Sequence, residues 1–80
     1  MFARKIRVLY NNEPCPLKWL DNFSMRNFTN DAVFDDTLPV ADGLIETGSR
    51  VPLDGLKSAM EDWFRKKGYI KADDQLELKS

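Results

Sequence analysis

The sequence predicts an α+β fold, in which a small antiparallel sheet of three to four strands carries a long amphipathic helix at about 52–67 and a second short helix at about 17–27. Three observations lead there: an alternating, β-branched run at Lys5–Tyr10, an Asp42-Gly43 dipeptide between two apolar segments, and an apolar stripe at three- and four-residue steps from Leu53 to Phe64. A single domain, 1–80, follows from the length of 80 residues, just above the size at which one hydrophobic core becomes hard to sustain. Two Trp, five Phe and two Tyr can fill such a core.

Each element has a local cause. In Lys5–Tyr10, Ile6, Val8 and Tyr10 share one side while Lys5 and Arg7 share the other, the period of a half-buried strand. Asn11-Asn12-Glu13-Pro14-Cys15-Pro16 should break it, because Asn favours turns and each proline removes a backbone donor. Pro16 can open a short helix with Leu17/Leu20 and Trp19/Phe23 at helical spacing, although Asp21-Asn22 would equally serve as a turn between two short strands. Thr29–Thr37 reads as a connection, with Val33-Phe34 anchoring it to the core. Trp19, Phe23, Phe28 and Phe34 are core candidates.

Leu38-Pro39-Val40-Ala41 and Leu44-Ile45-Glu46-Thr47 then flank Asp42-Gly43 as a tight hairpin, and Pro39 places the first of these strands at a sheet edge. The long helix carries Leu53, Leu56, Met60, Trp63, Phe64 and Lys67 along one stripe. Pro52 and Asp54 suit its first turn, Arg65-Lys66-Lys67 its last, and Gly68 its left-handed stop. Glu61 with Arg65 and Asp62 with Lys66 are spaced as i,i+4 ion pairs. After a turn at Asp73-Asp74, Leu76 and Leu78 point to one side of a final strand.

What is missing narrows the chemistry. Without His, no triad built on imidazole can form. One cysteine, Cys15, allows neither an intrachain disulfide nor a structural zinc site, and it fits a packed thiol in a reducing, cytoplasmic setting. The basic start, Met1 to Arg7, is followed only by Val8-Leu9-Tyr10, too short for a signal peptide, and no apolar run is long enough to span a membrane. The four glycines are scattered, so no phosphate-cradling loop is spelled. The expectation is a protein with no enzymatic activity, no cofactor and no metal.

Charge is the one asymmetry. Residues 1–30 carry a net +3, residues 31–62 a net −6 and residues 63–80 a net +2. The leading expectation is an interaction or regulatory protein that binds a protein partner, of the kind that phages and other mobile elements use as inhibitors. Asp31, Asp35, Asp36, Asp42 and Glu46 would form an acidic patch that blocks a basic, nucleic-acid-binding surface of that partner. The alternative is direct nucleic-acid binding by Arg65, Lys66, Lys67 and Lys71, joined from across the fold by Arg4, Lys5 and Arg7. Leu53–Leu78, a helix ending in Lys66-Lys67-Gly68-Tyr69-Ile70 and running through Asp73-Asp74 to Leu76-Glu77-Leu78, resembles the recognition helix and wing of winged helix-turn-helix domains. The likeness covers about a third of the chain and implies a DNA- or RNA-binding regulator. The preceding stretch, with Pro39 and Asp42-Gly43, departs from that pattern.

Overall fold

The computed structural model describes residues 3–30, 37–48 and 51–80, and the side chains of 4–23, 37–48 and 51–80. Its elements run β1 (Ala3–Tyr10), β2 (Glu13–Pro14), α1 (Leu17–Asn30), β3 (Leu38–Ala41), β4 (Leu44–Gly48), α2 (Leu53–Lys67) and β5 (Leu76–Lys79). The α+β expectation holds, with both helices present; α1 runs a turn further than its apolar pairs indicated. Val33-Phe34 lies outside the described residues.

All strand pairs are antiparallel, and β1 is central. It pairs with β4, which pairs with β3, and separately with β5, so the four longer strands lie in the order β3-β4-β1-β5. With a helix between β1 and β3 and another between β4 and β5, this is the connectivity of split β-α-β, ferredoxin-like folds. Such a scaffold does not by itself indicate a function.

The fifth strand comes from a segment read as a break. Asn11 and Asn12 take φ values of 53° and 65°, so two consecutive left-handed residues turn the chain back and pair β2 with Leu9 and Tyr10. Asn tolerates that region because its short polar side chain bonds locally. Val8 donates to Gly43 O and accepts from Cys15 N, so β2 continues the same edge of β1 that β4 occupies. Gly43 N donates to Cys15 O and locks the two hairpins together. At φ 68°, a Cβ on Gly43 would sit 2.5 Å from Pro14 Cβ. Gly43→Ala should therefore cost about 3 kcal/mol, from left-handed strain plus the clash. Urea denaturation checks this, and a loss below about 0.5 kcal/mol would contradict the close packing.

Alternation decides the two faces of the sheet. Ile6, Val8, Ile45 and Leu76 are buried on one side, in a single cluster with Leu20, Phe23, Leu56, Met60 and Phe64 from the helices, and Thr47 is buried on the same side. Both helices therefore cover the same face. Trp19 stacks on Tyr69 at 4.9 Å between ring centroids and meets Phe64 edge-on at 5.6 Å, closing the core at one end. Trp19 and Phe23 thus join the core as expected; the Phe28 and Phe34 side chains lie outside the described set.

α2 ends as its sequence indicates. Gly68 at φ 80° lets its own N–H reach Arg65 O while Tyr69 N–H reaches Phe64 O. Pro52 stands just before the helix, as its N-cap, rather than inside the first turn. Asp62 pairs with Arg65 at 3.4 Å, not with Lys66, because the Lys66 side chain lies toward the Trp63 ring.

Candidate functional site: the uncovered sheet face

The residues that alternate with the core positions form the opposite face, and no described element covers it. β1 contributes Lys5, Arg7 and Leu9, β4 contributes Leu44 and Glu46, and β5 contributes Glu77 and Lys79. Register places Lys5 across from Glu46, and Arg7 between Leu44 and Lys79. Leu38, paired with Glu46, extends the surface and is 53% exposed.

The sheet edges, by contrast, are blunted. Along β4 the backbone groups of Ile45 face β1 and those of Glu46 face β3, so the outward-facing positions of β3 include Pro39, which has no N–H to offer. Pro39 does mark an edge strand, as the sequence indicated. On β5 the outward N–H of Leu76 donates to Glu61 Oε2 at 2.9 Å. Glu61 is only 8% exposed and receives Lys57 at 3.5 Å and Arg65 at 3.9 Å. The i,i+4 pair with Arg65 was legible in the sequence; the bond to the Leu76 N–H was not. Only its position beside Met60 on the helix stripe hinted at burial.

The predicted acidic set does not assemble among the described residues. Asp42 Oδ1 accepts the Leu17 N–H at 2.7 Å, placing a carboxylate at the positive end of α1. Glu46 lies on the uncovered face within β4, whereas Asp42 sits in the hairpin turn before that strand. Asp31, Asp35 and Asp36 fall outside the described residues.

The predicted basic set divides. Arg65 is tied down, donating to Asp74 O at 2.7 Å and pairing with Glu61 and Asp62. Lys71 gives its backbone N–H to Asp74 Oδ2 at 2.9 Å. Lys66 and Lys67 are exposed, with Nζ atoms 5.8 and 4.9 Å from the Trp63 ring centre, and Trp63 donates its indole N–H to Asn22 Oδ1 at 2.8 Å. They stand at the negative end of α2, where their charge already offsets the helix dipole. Arg4, on the core side, bonds Val51 O and Thr47 Oγ1. Lys5 and Arg7 make no ion pair among the described residues. A helix joined to α2 by a short turn is absent there too: the β3-β4 hairpin separates the helices, and the stretch proposed as a wing pairs into the central sheet as β5.

Two titratable groups are accounted for by packing. Cys15 is buried, which pushes its thiol up to about 11. It should therefore resist iodoacetamide at pH 8 in the native protein and react readily in urea; equal rates would contradict its burial. Tyr10 OH donates to Asp74 Oδ2 at 2.6 Å, which with the Lys71 N–H holds the Asp74 carboxyl below its ordinary range. A lowered folded-state value means that the stabilisation is present above the unfolded-state pKa and lost as pH falls through the folded value. Asp74→Asn should flatten the acid limb of a melting-temperature profile, and an unchanged limb would contradict this linkage.

The chain matches no protein-family model, no curated protein and no solved structure. No described helix is long and apolar enough to cross a membrane.

Proposed function

We propose that the chain is a small non-enzymatic binding protein of the cytoplasm, which regulates or inhibits a protein partner by docking the uncovered sheet face onto it. One observation carries the reading: the face away from both helices groups cationic side chains with half-buried leucines, while each edge of the sheet is blunted at one outward position, Pro39 on β3 and Leu76 on β5. Arg7 set among Leu9, Leu38 and Leu44 suits the centre of a protein interface, where Arg and apolar groups are enriched, with the lysines and glutamates of the face toward a polar rim. Of the expected acidic patch, Asp42 is engaged at the start of α1 and Glu46 lies among the cations of the uncovered face, so its two described members do not form a separate acidic surface.

The test compares tagged baits in a lysate of the native host. Wild type and a Lys66→Glu/Lys67→Glu variant should retain the same partner, and Arg7→Glu should lose it. Retention by Arg7→Glu, or loss from the helix variant alone, would move the working surface to α2.

A further inference from the structure

We infer that the centre of the uncovered face is a receptor for a carboxylate side chain flanked by an apolar one, and so for an acidic, leucine-like segment of the partner; this rests on the face being the docking surface. Arg7 and Lys79 are register partners, with side chains roughly 5 Å apart at their bases. Like charges opposed across a ladder are destabilising, so the fold carries a local conflict that an anion between them would relieve. Lys79 has a partial partner in Glu77 at 3.7 Å, but both are more than half exposed and such pairs hold little energy. Arg7 has none.

The surface relief fits the same occupant. A hollow of about 490 Å³ is lined by Lys5, Arg7, Leu44, Lys79 and Ser80. A second, of about 270 Å³, is lined by Arg7, Leu9, Pro14, Asp42, Gly43 and Leu44. They share Arg7 and Leu44, so a cationic hollow adjoins one walled mainly by apolar groups. A carboxylate seated in the first would place its neighbour's apolar side chain in the second.

A nucleic-acid strand fits less well. A strand needs a continuous track of cations for its successive phosphates, and Glu46 and Glu77 interrupt that track here, whereas a single carboxylate needs only the Arg7/Lys79 pair. The described side chains of this face include no aromatic ring on which a base could stack.

The experiment is a titration of the ¹⁵N-labelled full chain, followed by amide chemical shifts, with two probes: a blocked peptide alternating Leu and Glu, and an oligothymidylate of equal charge. The peptide should move the amides of Lys5–Leu9, Leu44–Glu46 and Glu77–Lys79, and Arg7→Glu should weaken it by at least about tenfold. Leu44→Asp, which leaves the cations in place, should weaken it as well. Absence of shifts on this face at millimolar peptide, or tighter binding of the oligothymidylate there, would overturn the inference, the second outcome assigning nucleic acid as occupant. Peptide shifts without face-dependent capture in the lysate would retain the receptor and remove the docking reading. Face-dependent capture without peptide shifts would do the reverse.

Discussion

Phe64→Ala should remove about 4 kcal/mol of stability, a third or more of what the protein has, and lower its melting temperature by roughly 20 °C. Phe64 is fully buried and lies at the meeting point of Trp19, Phe23 and Tyr69, with ring centres 5.6, 6.5 and 5.9 Å away. Its loss opens a cavity that three large, mutually packed rings can only partly fill. A domain of this length has in total about 4–12 kcal/mol to lose. Phe64→Leu, which keeps much of the volume, should cost about 1.5 kcal/mol. Thermal and urea unfolding measure both, and a change below about 1 kcal/mol for the alanine variant would mean that the helices do not rest on the sheet as described.

Arg7→Glu should produce the largest functional effect: at least about a 100-fold loss of partner affinity, equivalent to about 2.7 kcal/mol. Removing the cation takes away the one charged side chain common to both hollows, and the new carboxylate repels an acidic partner. Stability should move the other way or not at all, since the substitution places opposite charges at the Arg7/Lys79 pairing and touches nothing buried. Loss of binding with an unchanged or higher melting temperature separates an interface role from a structural one. Wild-type affinity should also fall with added salt, because the face is exposed and its charges are screened over about 8–10 Å.

The elements were legible where one local rule governs. Ile6/Val8 alternation, the Asp42-Gly43 turn, the Leu53–Phe64 stripe and the Gly68 stop each speak through their own neighbours, and the structure follows them. The site was not. Lys5 and Arg7 were visible as basic residues, but grouping them with Arg65 and Lys66 ignored that alternation places the sheet's free face opposite the helix layer. Lys79 reaches Arg7 only through the β1-β5 ladder, which joins the two ends of the chain, and no local pattern encodes that register. Glu61 pairs with Arg65 as its i,i+4 spacing indicates, but that spacing does not say whether a strand end will need an acceptor there, so the bond to Leu76 was not legible.

The most direct measurement is hydroxyl-radical footprinting of side chains in the protein alone and in its captured complex. Leu9, Leu38 and Leu44 should lose reactivity on binding while Trp63 keeps its own; protection of Trp63 with the three leucines unchanged would place the partner on the helices and contradict the account.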